Sequence, residues 1–323
     1  MIATFRTVFG IAFTLACALA AGQAVAQQFP TKPIRIIVPS SPGVSTDLVP
    51  RSVSPTLAKI LAQPVVIENK PGAGMALAFE YVAKQSAADG YTILLASVSD
   101  LSLYPLLVKD TRFDALKDLP PFIDICDAPL ILNSSNTLPW KNFQEMASWA
   151  RANPGKLNFG ASTPTTRLPM VMLFNELGIN AVYIPYSGGG PYIQGVVSGE
   201  VHLGLTLEGT VTQYKDKLIP LAVVGNKRRP TLPTSPSLAE LGHAKVVGGI
   251  TFSFNVPSGT PKSVVDRLNA ATNQALQANE VKELLAKLNY DIVGGTVEFS
   301  SKRLNDSARA YADAAKVAGI RPD

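Results

Sequence analysis

From residue 34 onward, short β-branched runs alternate with longer segments of helical period. Ile34-Arg35-Ile36-Ile37-Val38 predicts a buried strand, as do Val65-Val66-Ile67 and Thr92-Ile93-Leu94-Leu95-Ala96. Helix-length segments from Leu48 to Leu61 and from Ala76 to Lys84 lie between them. This alternation predicts a parallel sheet with right-handed crossovers. Pro55 falls inside the first helix, where the missing N–H and the ring clash predict a kink.

A second series follows without a low-complexity linker. It reads as a strand at Leu130 to Leu132, a helix from Asn142 to Ala152, a strand from Leu157 to Gly160 and a helix from Pro169 to Leu177. A strand at Val182 to Ile184, a helix from Pro191 to Val197 and strands at Val201 to Leu207 and Leu221 to Val224 complete it. Near the C-terminus, Thr260-Pro261 predicts an N-cap followed by proline at the first helical position. Thr296 is placed to cap a last helix through Leu304, Ala308 and Ala312. The fold class is therefore α/β, with any two domains joined by several strands rather than a tether.

The first 26 residues follow a different pattern. One charge, Arg6, precedes an apolar core from Val8 to Ala20, and Ala24-Val25-Ala26 closes the segment. That order predicts a secretory signal peptide, 1–26, cleaved after Ala26. The rival membrane anchor needs about 20 apolar residues, more than the core offers. Lipidation at Cys17 is a poorer match, because Thr14-Leu15-Ala16 precedes it. The mature chain keeps Cys126 alone, so no internal disulfide forms in an oxidising compartment.

Composition narrows the classes further. Of 323 residues, 46% are hydrophobic and 16% charged, which excludes a disordered tail and a charged coiled coil. A net charge of +5 is too diffuse to demand a nucleic acid. Two histidines and two cysteines supply no usual metal cluster. An exported chain meets no nucleotide pool, and no cofactor is expected.

Ligands of open α/β sheets bind beyond the carboxyl ends of the strands. Five segments occupy that position here: Pro39 to Asp47, Lys70 to Gly74, Ser97-Val98-Ser99, Ala161 to Arg167, and Tyr186 to Pro191. They are rich in Gly, Ser and Thr, poor in acids, and each leads into a helix. Helix N-termini offer unpaired N–H groups and partial positive charge, glycine permits close approach, and hydroxyls supply rotatable donors. Together they predict a small-anion or carboxylate site. The bland alternative for any single loop is a tight turn.

Other motifs carry less. Gly72-x-Gly74 lacks the third glycine of a dinucleotide fingerprint, since Leu77 stands there, and neither a Walker lysine nor a Gly-x-Ser-x-Gly elbow is present. His202 and His243 read as structural or solvated, Trp140 and Trp149 as packing residues, and Lys227-Arg228-Arg229 as a solvated run. Arg167 and Lys70 are the cations inside the five loops. Arg167 suits a bidentate bond to a carboxylate, with a surface ion pair as the alternative.

The ordered motifs resemble the Bug family, solute-binding receptors of tripartite tricarboxylate transporters. The resemblance runs through Phe29 to Pro39, Pro42-Gly43, Thr46-Asp47, Gln63 to Gly74 and Asp89-Gly90-Tyr91-Thr92. It continues in Ala152 to Leu157, Pro185 to Pro191, Pro257-Ser258-Gly259-Thr260-Pro261 and Ala318 to Pro322. It implies a two-lobed periplasmic binding protein, a type II-like Venus flytrap with a hinge of crossing strands. Lobe 1 would be 27–127 with 248–323, and lobe 2 would be 128–247. The implied ligand is a small carboxylate, dicarboxylic or aromatic if Arg167 meets a second anionic group.

The implied contacts are Ser41, Gly43, Val44 and Thr46, with Asp47 organising the loop, and Ser162, Thr165, Thr166, Gly188, Gly189 and Gly190 opposite. The loop chemistry adds Ser97, Arg167 and Tyr186. Relatives usually carry glycine where Val44 stands, often histidine where Leu168 stands, and acids near Gly195 and His202. The implied partners are an organic carboxylate and membrane transporter subunits, with the receptor itself a monomer. A receptor feeding a signalling system is the alternative, and a periplasmic hydrolase a weaker one for want of a nucleophile–base pair.

Overall fold

The computed structural model describes residues 29–43, 45–109, 111–186, 189–246 and 248–317. The segment 1–26 with Cys17, and also Val44, Ser187, Gly188 and the tail from Ala318, lie outside the described residues.

The strands are β1 (Ile34–Val38), β2 (Val65–Asn69), β3 (Thr92–Ser97), β4 (Pro121–Ala128), β5 (Leu130–Ser135) and β6 (Asn158–Ala161). They continue as β7 (Val182–Pro185), β8 (Gly204–Leu207), β9 (Leu218–Val223), β10 (Ile250–Asn255) and β11 (Asp291–Ile292). The first helices are α1 (Ser45–Leu61), α2 (Ala76–Glu80), α3 (Val98–Leu107), α4 (Ala115–Asp118), α5 (Phe143–Ala152) and α6 (Pro164–Leu177). Then come α7 (Gly189–Ser198), α8 (Glu208–Gln213), α9 (Lys262–Gln277), α10 (Asn279–Lys287) and α11 (Val297–Val317).

One sheet runs β11-β4-β10-β3-β1-β2. The expected parallel strands β1, β2 and β3 form one half of it. The other half is antiparallel, β10 running against both β3 and β4. Helices cover both faces. Ile34, Ile36 and Val38 pack with Val49, Val53 and Leu57 of α1 and Leu268 of α9. Ile37 faces the opposite way, among Leu94, Phe79, Leu101 and Leu304. Burial on both faces is why β1 reads as a continuous apolar run instead of an alternating one.

The second sheet has antiparallel β8-β5-β9 and a parallel β6-β7 pair, joined through a bridge between Phe159 and Leu203. Its core gathers Leu130, Leu132, Trp140, Met146, Phe159 and Phe174. Trp140 is fully buried, and its indole donates to Ser134 Oγ at 3.0 Å.

Two strands cross between the sheets side by side. The chain leaves through Ala128 into β5 and returns into β10, where Ile250 pairs with Ala128. Gly249 turns the returning strand at φ +122°, a conformation that disfavours a side chain. Beside the crossing, Arg229 donates to Glu208 Oε2 at 2.7 Å on the second-sheet side. It also pairs with Asp291 of β11 and reaches Asn289 O at 3.3 Å on the first-sheet side. A third connection is apolar. Leu103 of α3, Leu168 of α6, and Tyr311 and Ala314 of α11 form one buried cluster spanning both lobes.

Several element boundaries move. The helix α1 runs from Ser45 to Leu61 with Pro50 and Pro55 both inside it. The helix expected from Pro169 starts at Pro164, because Thr163 takes an extended conformation and Pro164 occupies the first turn. Thr260 is not the cap of α9. Pro261 holds that position, and the Thr260 hydroxyl donates instead to Pro257 O at 2.7 Å. Strands β4 and β10 carried no sequence signal that was read.

Candidate functional site

The carboxyl ends of β1, β2 and β3 point to one edge of their sheet, since the three are parallel neighbours. The loop after β1 is held by a carboxylate. Asp47 Oδ2 accepts from Gly43 N at 2.8 Å and from Arg51 Nε at 2.7 Å, while Oδ1 accepts from Asn69 Nδ2 at 2.8 Å. Asn69, the last residue of β2, also donates to Ser40 O at 2.9 Å. The first two loops are thereby tied together. Asp47 is 1% exposed, and Arg51 beside it holds its pKa down at about 2. Gly43 sits at φ +85° in open space, with Ser41 exposed next to it and Thr46 half-buried in the first turn of α1. The Ser40 hydroxyl is buried without a partner at this edge, a donor that the sequence reading did not single out.

The third loop is the N-terminus of α3. Ser97 Oγ accepts from Asp100 N at 2.9 Å and lies 3.0 Å from Ser99 Oγ. Asp100, unremarked in the sequence, has its Oδ1 3.2 Å from the hydroxyl of Thr165 in α6. This bond joins the third loop to the fourth across the two lobes. The fourth joins the fifth through Tyr186 N, which donates to Ala161 O at 3.0 Å. Hydrogen bonds thus tie the first loop to the second, and the third through the fourth to the fifth, while β1 and β3, which lead into the first and third loops, are sheet neighbours.

Within this rim of loops the residues differ in what they have to offer. Ser162 is half-buried, whereas Gly189 and Gly190 open α7 with free space where a side chain would stand. The Thr166 hydroxyl turns back to Thr163 O at 3.0 Å and serves the helix start. Tyr186 packs against α7, where a Cβ added at Gly195 would lie 2.1 Å from its hydroxyl oxygen. That packing gives Gly195 a steric reason to be glycine. Arg167 places its guanidinium 4.4 Å from the Tyr183 ring centroid, and its buried Nε has no partner. Lys70 is drawn away to Glu68 at 3.4 Å and to the Tyr81 ring.

His202 lies between Trp140 and Trp149, accepts from Asn158 N at 3.2 Å, and is held below its ordinary pKa by burial. His243 pairs with Glu176. No group of three metal-ligating side chains occurs among the described residues, and no helix there is long and apolar enough to cross a membrane.

The profile of the tripartite tricarboxylate transporter family receptor matches residues 49–311. Protein BugT of Bordetella pertussis is 30% identical over 316 residues, covering 96% of this chain and 97% of BugT. Rpa4515 of R. palustris, solved with adipate, superposes with a TM-score of 0.80 at 27% identity, covering 91% of this chain and all of the other. MatC of Rhodopseudomonas palustris, solved with bound malate, gives 0.73 at 26% identity, covering 88% and 99%. The chain belongs to the tripartite tricarboxylate transporter receptor family, which includes the Bug proteins, and has its two-lobed binding-protein fold.

Proposed function

We propose that the chain is a periplasmic receptor, exported by a leader cleaved after Ala26, that captures a small organic carboxylate as a monomer and delivers it to tripartite transporter subunits in the membrane. Lobe 1 comprises 27–127 with 248–323, and lobe 2 comprises 128–247. The observation that carries the reading is the hydrogen-bonded contact between loops of the two lobes. The starts of α3 and α6, one from each lobe, are joined there by the Asp100–Thr165 bond, and helix starts bring N–H groups suited to an anion. The solved relatives holding adipate and malate support a carboxylate as the occupant.

In this scheme Ser41, Gly43, Thr46 and Ser97 bind from lobe 1, and Ser162, Thr165, Gly189 and Gly190 bind from lobe 2. Val44 and Gly188 extend the two glycine-rich loops. Asp47 keeps the first loop in shape through three hydrogen bonds, so its amides face the ligand without rearrangement. Thr166 and Tyr186 support their loops, and Arg167, whose Nε lacks a hydrogen bond, receives a second anionic group. A ligand touching both lobes favours closure by its differential affinity for the closed form. The protein binds and releases its ligand unchanged.

The test is calorimetry on the mature protein, unfolded and refolded to strip bound metabolite, against mono-, di- and tricarboxylates. Saturable heat with one class, and recovery of that acid unaltered, is the expected result. Absence of heat with every acid, or conversion of the ligand, overturns the reading.

A further inference from the structure

The anion-binding scheme leaves Asp100 unused. Asp100 lies in the first turn of α3, three residues beyond the end of β3, and takes its hydrogen bond from Thr165 of the opposite lobe. Its surroundings are the Ser97 and Thr165 hydroxyls, with Tyr311 of α11 close enough to feel its charge. Among the described residues no cation pairs with it. An ionised carboxylate has room for about four hydrogen bonds, so two hydroxyls leave it short of partners. Desolvation raises its pKa above the ordinary value despite those hydroxyls.

A carboxyl with no cation paired to it among the described residues thus stands where the starts of α3 and α6 are joined. For a plain carboxylate this neighbour is repulsive. A ligand that carries a hydroxyl or ammonium beside its carboxylate changes the sign. Its anionic group takes the backbone amides, and its donor completes the acceptor capacity of Asp100.

We propose that Asp100 is a specificity-determining residue that selects carboxylates bearing a hydrogen-bond donor over the plain acids of the same length. The proposal rests on the carboxylate-receptor reading above. It differs from it in naming the substituent and the residue that reads it. Hydroxy acids and amino acids share this chemistry, and the measurement separates them.

The experiment titrates the full mature protein with succinate, malate and aspartate, which differ only at one carbon, and with the five-carbon set glutarate, 2-hydroxyglutarate and glutamate. The wild type is expected to bind the hydroxy or amino member at least about tenfold more tightly than the plain acid, the scale of one charge-assisted hydrogen bond. The stronger of the two identifies the donor. Asp100→Asn, which keeps an acceptor for Thr165, is expected to abolish the preference and strengthen binding of the plain acid. Thr165→Val weakens all members of a set by a similar factor and leaves the preference in place. Circular dichroism verifies folding, and Asp100→Ser replaces the Asn variant if that one does not fold. Binding without a donor preference, or an Asp100→Asn effect equal for all three acids, overturns the proposal alone. No heat with any acid overturns the receptor reading and the proposal with it.

Discussion

Two carboxylates in the first lobe are almost equally hidden from solvent and behave in opposite ways. Asp47, at the rim, is 1% exposed and its pKa falls to about 2. Asp124, under the seam between β4 and α11, is fully buried and its pKa rises to about 6. The first accepts hydrogen bonds from an amide, a guanidinium and a carboxamide. The second loses its hydration and gains less in return, because Arg303 stands 3.5 Å away and bonds closely to Asp127 at 2.7 Å. Burial alone does not set the charge of an acid; the donors supplied to it do. The well-placed donors gather at Asp47 and hold the loop after β1.

Removing Asp47 tests the stronger half of that contrast. Asp47→Ala leaves the Gly43 amide, Asn69 and Arg51 without their acceptor, and should cost about 3 kcal/mol by urea unfolding at pH 7. Affinity for the carboxylate ligand should fall with it. An unchanged midpoint would mean that the loop holds its shape without the acid.

The two acids also give stability opposite pH dependences in separate windows. Asp47, depressed in the fold, contributes stability above pH 4 that is lost as pH falls toward 2. Asp124, elevated in the fold, carries no penalty below pH 4, and its penalty grows as pH rises through about 6. Asp124→Asn should therefore match the wild type near pH 4 and exceed it by about 2 kcal/mol at pH 8. Parallel stability curves for variant and wild type between pH 4 and 8 would refute the assignment.

The smallest effect belongs to Ser97, which caps α3 beside the rim. Ser97→Ala should lower stability by about 1 kcal/mol and weaken ligand binding through the freed end of the helix. A loss above that of Asp47→Ala would reverse the ranking of the two loops.

Much of the architecture was legible because it is local. The apolar runs at Ile34, Val65 and Thr92, and the helical period after Leu48, each lie within a few residues of their cause. Glycine and hydroxyl residues at the strand ends marked the rim for the same reason. The start of α6 was misplaced because hydrophobic period was followed past the signal at Thr163 and Pro164. That shift puts Thr165, Thr166 and Arg167 in a helical first turn, with Thr165 directed at the other lobe and Thr166 turned back on its own helix. Asp100 gives no signal in the sequence, because the loop pattern is one of Gly, Ser and Thr with few acids.

The chain by itself determined the alternating elements, the leader-like N-terminal pattern and the family motifs. Those follow from side-chain period, backbone preference and the order of residue types. Tertiary structure decided the direction of β4 and β10, the bond between Asp100 and Thr165, and which buried acid is charged. Each of these depends on groups far apart in sequence, Thr165 lying 65 residues from Asp100 and Arg303 176 from Asp127. Pairing and desolvation act through space, and no local pattern records which distant donor arrives.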